Sequence, residues 1–136
     1  MDDLTALSTG AAGTCPPVAG PRRLLIVQRN AAAARSMARY LQRHFDSVQV
    51  LETWTEVEAA LLDRRFPPTH LISGQDLGEG SPTGASLIPR WRQLCPALEC
   101  VVLATGVVEL PAELPGVDAV FHKPAQPAEL LSLLAA

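Results

Sequence analysis

Lys123 is the only lysine among eleven basic residues; the other ten are arginines. A chain that otherwise uses guanidinium keeps one compact ammonium, which suits a point contact to an anion. The competing reading is chance. Gln28 and Arg29 follow the apolar run Leu24–Val27, and Thr105 follows a second run, Val101–Leu103, by two residues. Two cations, a hydroxyl and an amide at the ends of such runs are the parts of an anion pocket. His70, His122 and Cys100 are metal-ligating types, but they fall on different apolar runs and read as ordinary strand side chains. No catalytic triad, glycine-rich phosphate loop or glycosidase-type carboxylate pair is apparent, so no enzymatic activity is expected.

These residues need elements to hold them. Leu24–Val27 is too short for a helix and reads as a strand buried on both faces, as in a parallel sheet. Asn30 is placed to cap a helix opened by Ala31–Ala34. In that helix Ala34, Met37, Ala38, Leu41 and Phe45 form an apolar stripe. Arg35, Arg39 and Arg43 lie four apart on a neighbouring face, either a solvated surface or a docking face for a partner. Ser47–Leu51 alternates as an edge strand. Thr53 and Glu56 form a capping box for a second helix, with Val57, Ala60 and Leu61 inward and an end near Arg65. Phe66-Pro67-Pro68-Thr69 cannot be helical and leads into a third strand, His70–Ser73.

A glycine-rich loop, Gly74–Thr83, precedes a helix over Gly84–Leu94, with Pro89 close enough to its start to be tolerated or to kink it. Glu99–Leu103 is a fourth buried strand. The repeat then calls for a helix over Val107–Gly116, but Pro111 and Pro115 limit it to a turn or two. Val117–His122 is a fifth strand and Pro127–Leu134 a final short helix. Five alternations of this kind predict a flavodoxin-like α/β sandwich with a parallel sheet of order 2-1-3-4-5 and a shortened or irregular fourth helix.

A length of 136 residues allows one domain, expected over 22–136, behind a flexible tail, 1–21, with a short helical turn around Asp3–Ser8. The net charge of −3 provides no basic field for nucleic acid. No apolar run reaches transmembrane length, and Met-Asp-Asp lacks the basic start of a signal peptide, so a cytoplasmic location is expected. Cys15, Cys95 and Cys100 are odd in number and contain no C-x-x-C, which predicts unpaired thiols in a reducing compartment, neither a zinc site nor a disulfide framework.

Over about Arg22 to Leu134 the chain resembles the receiver domains of bacterial response regulators. Leu24–Val27 looks like their first strand and Pro68-Thr69-His70-Leu71-Ile72-Ser73 like their Pro-Asp-Leu-Val-Ile-Ser third strand. Gly84-x-x-Leu87-Ile88 looks like the start of their third helix, and Thr105-Gly106 like the end of their fourth strand. The most specific match is Gly116-Val117-Asp118 through Lys123-Pro124. The resemblance implies a site in which two acidic residues and an aspartate hold Mg²⁺, the aspartate takes a phosphoryl group, and Thr or Ser and Lys bind its oxygens. Carried over, Gln28 and Arg29 stand at the acidic pair, Gly74 at the phosphoacceptor, and Thr105 and Lys123 remain. Val120 replaces the aromatic that moves with Thr.

Asp76 is the alternative acceptor, because its spacing to Gly84 matches the family. That choice puts Gly74 and Gln75 inside the strand, so Gly74 is preferred. Gln28, Arg29, Gly74 and Lys123 then sum to a charge of about +2, where a competent site sums to about −2. The resemblance therefore implies a degenerate, stand-alone receiver of two-component phosphorelay signalling that binds no Mg²⁺ and acts through protein contacts. The expected partner is a histidine kinase, a phosphotransfer protein or another regulator, docked on the face with Arg35, Arg39 and Arg43. The proline-broken fourth helix implies a monomer or an atypical homodimer.

Overall fold

The computed structural model describes residues 15, 16, 18–106, 110–123 and 127–134. Five strands, β1 (Arg23–Val27), β2 (Ser47–Leu51), β3 (His70–Gly74), β4 (Cys100–Thr105) and β5 (Ala119–His122), form one parallel sheet of order β2-β1-β3-β4-β5. This is the expected flavodoxin-like topology. Helices α1 (Ala31–Leu41), α2 (Trp54–Leu61), α3 (Gly84–Leu94) and α4 (Pro127–Leu134) cover its two faces. Successive strand residues point to opposite faces. Leu25, Val27, Leu71, Val101 and Leu103 therefore join Val57, Leu61, Ile88 and Trp91 of α2 and α3. Leu24, Ile26, Ile72 and Val102 join Ala34, Leu41, Leu130 and Leu134 of α1 and α4.

Local chemistry starts and stops the helices. Asn30 accepts a hydrogen bond from the Ala33 N–H, and Thr53 with Glu56 makes the expected capping box. Thr83 caps α3, which runs unbroken through Pro89. α2 stops at Leu61, short of the expected end near Arg65. Beyond it the Asp63 carboxylate accepts the Arg65 N–H at 3.0 Å, a local bond that competes with helix, and Pro67 bars further helix. Glu58 joins α2 to α3 by accepting from Arg90 Nε at 2.9 Å and Trp91 Nε1 at 3.2 Å.

Between β4 and β5, residues 110–118 contain no helix. Leu110, Leu114 and Val117 instead lay directly against the α2–α3 layer. Gly116 turns the chain at φ +83°, where a side chain would crowd Ile88 and Arg92. The Asp118 carboxylate accepts from the Val101 N–H at 2.8 Å and from Arg92 Nη1 at 3.1 Å.

The expectation of three unpaired thiols needs correction. Cys15 and Cys100, 85 residues apart, form a disulfide with a Cα–Cα distance of 5.2 Å, and only Cys95 is free. Parity and spacing carry no information on such long-range proximity. Cys15 is buried and its N–H donates to the Leu133 carbonyl at 2.8 Å, so the packed unit reaches back past the expected boundary at residue 22. The helical turn expected at Asp3–Ser8 lies outside the described residues. Among the described residues no helix is long and apolar enough to cross a membrane.

Candidate functional site

Parallel pairing brings all strand carboxyl ends to one rim. Val27 pairs with Ser73, Gly74 with Ala104 and Thr105 with His122. The Lys123 N–H donates to the Thr105 carbonyl at 2.9 Å, which extends the ladder past β5 and sets the lysine beside the threonine. Gln28, Arg29, Gly74, Asp76, Thr105 and Lys123 thus line one depression of about 450 Å³, with Asn30, Gln75, Ala104 and Gly106. A larger groove of about 600 Å³, beside β2, gathers none of these residues; its polar lining is Arg23, Ser47, Gln49, Glu56 and Asp63.

Gln28 is only 3% exposed, and neither its amide nitrogen nor its amide oxygen has a hydrogen-bond partner. A buried unsatisfied amide costs about 1–3 kcal/mol. It lies beside Gly74. A Cβ placed on Gly74 would sit 3.7 Å from Gln28 Cγ, in ordinary contact, so the glutamine lies alongside the space where a side chain at 74 would begin. Gly84 is different. A Cβ there would overlap the Gly74 carbonyl oxygen and lie 2.7 Å from Ser73 Oγ, so α3 can start against the end of β3 only with glycine.

The first N–H groups of α3 are already engaged. Gln75 accepts the Gly84 N–H through its carbonyl at 3.0 Å and the Ala85 N–H through its side chain at 2.8 Å. Thr83 Oγ1 accepts the Ser86 N–H at 3.3 Å. Gln75 is the residue of the depression whose capping role the sequence reading missed. A lone glutamine in a loop carries no local signal of a cap ten residues along the chain.

Asp76 is exposed in the loop, two residues beyond the end of β3. The Gly78 N–H, at 3.0 Å, and then Arg29 Nη1, at 3.1 Å, hold its carboxyl below the usual carboxylate range. Asp76 and Arg29 are therefore engaged with each other. Val120 is buried in β5 opposite Leu103. Arg35, Arg39 and Arg43 are all exposed along and just beyond α1, outside the depression.

Of the residues weighed as metal ligands, His70 and Cys100 are neighbours across β3 and β4, and His122 lies at the far end of β5. His122 is exposed and Cys100 is in the disulfide. His70 is buried against the edge of Phe45 with its Nδ1 2.8 Å from Thr69 Oγ1. Burial, then the Arg22 charge, pushes its pKa down to about 4. Among the described residues no group of three His, Cys, Asp or Glu could hold a metal ion.

No protein-family model and no curated protein matches the chain. Solved structures do. A CheY-like receiver domain from Methanospirillum hungatei is 24% identical with a TM-score of 0.71, over 82% of this chain and 89% of that one. A response regulator from Burkholderia pseudomallei, solved with a phosphorylated aspartic acid, a calcium ion and citrate, is 21% identical with a TM-score of 0.67, over 82% of this chain and 66% of that one. RcsB from Salmonella enterica, bound to promoter DNA with a phosphomimetic, is 18% identical with a TM-score of 0.72, over 86% and 68%. The chain has the receiver, or CheY-like, fold.

Proposed function

We propose that this receiver fold serves two-component signalling as a protein-interaction module that accepts no phosphoryl group on aspartate. The observation that carries the reading is Gly74, the last residue of β3, which presents no side chain to the depression. Its neighbours there are a neutral glutamine and an arginine, and Asp76, the one carboxylate lining the depression among the described residues, is bonded to that arginine. Mg²⁺ wants hard oxygen ligands in near-octahedral geometry, and this donor set does not fit it. Two unit charges about 4 Å apart interact by roughly 4 kcal/mol at an effective dielectric near 20, so exchanging carboxylates for cations removes metal affinity outright.

The test is incubation with acetyl phosphate and Mg²⁺ followed by intact-mass and peptide-level mass spectrometry. No phosphoryl adduct is expected. An adduct on Asp76 would replace this reading with that of a working receiver.

On this reading the partner is a histidine kinase, a phosphotransfer protein or another regulator, and α1 with Arg35, Arg39 and Arg43 is its docking face. Reversing the three charges should weaken partner binding while changing stability by less than about 1 kcal/mol, as is usual for exposed sites. The lack of helix over residues 110–118 argues against dimerisation through a regular helix between β4 and β5.

A second reading is favoured by one observation, the unpartnered amide of Gln28. With Arg29, Thr105 and Lys123 it would recognise a small anion held without covalent chemistry. A thermal-shift screen with inorganic phosphate, nucleotides and cyclic dinucleotides separates the two: a saturable shift lost in Lys123→Ala supports the anion, and no shift leaves the protein-interaction reading alone.

A further inference from the structure

Cys15 and Cys100 meet at the end of the sheet opposite the depression. Cys100 is the first residue of β4 and fully buried; Cys15 is 4% exposed and lies ahead of β1. Cys15 makes two ties. Its sulfur bonds Cys100, and its N–H donates to the Leu133 carbonyl in the last turn of α4. That carbonyl is one of the helix-end acceptors that have no partner within the helix itself. α4 has only eight residues, too short to be stable alone, and among the described residues Leu130 and Leu134 are the ones it buries fully. Cys15 therefore supplies a cap to α4 and ties that cap covalently to the start of β4.

We propose that Cys15 and Cys100 form a reversible redox latch that clamps the C-terminal end of α4. The proposal does not depend on the reading of the strand-end depression. Cys100 sits at the start of β4 and is fully buried. Cys15 lies ahead of β1, outside the sheet, and is the less deeply buried of the two, so it is assigned as the attacking residue and Cys100 as the resolving one.

The oxidant is a low-molecular-weight disulfide of the glutathione class. The Cys15 thiolate attacks one of its sulfurs, breaks that S–S bond and releases one small thiolate. The Cys100 thiolate then attacks the Cys15 sulfur, forms the Cys15–Cys100 bond and releases the second small thiolate. The two protons lost by the protein thiols go to the two released thiolates. Two electrons pass from the cysteine pair to the oxidant, and reduction reverses each step.

The experiment equilibrates the full chain across ratios of reduced to oxidised glutathione, then traps free thiols by alkylation and locates them by mass spectrometry. Cys15 and Cys100 should become alkylated together as the ratio rises, while Cys95 stays free throughout. Oxidised and reduced protein are then compared by hydrogen exchange and thermal melting. The expected result is faster exchange in the peptide covering Pro127–Leu134 on reduction, with a fall in Tm of about 10 °C, the scale for losing a crosslink that closes a long loop. Cys15→Ser should exchange like the reduced wild type under both conditions.

A bond that never forms would overturn the latch. So would one that survives millimolar reduced glutathione under native conditions, which would make it a permanent staple. Reversible formation with unchanged exchange in α4 would also overturn it.

Discussion

The two ends of the sheet are built by opposite rules. At the amino end the strands start among closed interactions. Thr69 accepts the Arg23 N–H, Asp46 accepts the Arg22 N–H, the Arg22 guanidinium lies over Phe45 and donates to the His44 carbonyl, and a disulfide ties β4 to the segment before β1. At the carboxyl end Gln28 is buried without a partner, the Arg29–Asp76 pair is exposed, and Gly74 contributes no side chain. Parallel sheets place their working crevice at the carboxyl end. Stability is concentrated at one end, and the freedom to change chemistry at the other.

The strongest challenge to this contrast is at the one tight point of the carboxyl end, where α3 meets β3. Gly84→Ala should cost about 3–5 kcal/mol in urea denaturation, because the added carbon collides with backbone that cannot move aside. Gly74→Ala, a few ångströms away, should stay within about 1 kcal/mol, since its Cβ meets nothing closer than 3.7 Å. Equal losses at the two glycines would mean that the carboxyl end is as closely packed as the amino end.

The next largest effect belongs to the amino end. His70 is buried with a pKa of about 4, against an ordinary value near 6.5. Between these values the unfolded chain binds the proton and the folded one does not, so stability falls as pH drops from 6.5 towards 4. The loss approaches about 3 kcal/mol at the lower limit. Denaturation midpoints measured across this range should show the slope, and His70→Phe should flatten it. A wild-type profile that is level over the window would show that His70 titrates as a free imidazole.

The smallest effect sharpens the contrast most. Gln28→Leu removes an amide that bonds to nothing and keeps its bulk, so stability should hold or rise by about 1 kcal/mol. A loss of more than about 1 kcal/mol would show that the amide is satisfied in solution, and that the carboxyl end is better bonded than it looks.

How far the chain could be read depended on the range of the forces involved. Apolar runs and helix caps act over a few residues, so Leu24–Val27, the Asn30 cap, the Thr53–Glu56 box and the Gly84–Leu94 helix were legible, and the alternation gave the sheet order. The site positions were legible as strand ends. Their conformations were not, because Gln28 is buried among groups from neighbouring strands, Gly74 included. The double engagement of Gln75 and the Cys15–Cys100 bond depend on groups brought together only by the finished sheet.

The segment between β4 and β5 has one more consequence, for how such a chain can vary in length. Residues 110–118 carry no helical ladder to interrupt; among them Leu110, Leu114 and Val117 pack inward, and the Asp118 carboxylate pins the far end. Pro111, Ala112 and Glu113 are exposed. Inserting residues there lengthens a loop, and each doubling of loop length costs only about 0.6 kcal/mol of closure entropy. Cutting into a helix would cost a row of hydrogen bonds. This edge of the sandwich is thus where chain can be gained or lost, and a new recognition element grafted, without disturbing the register of the five strands.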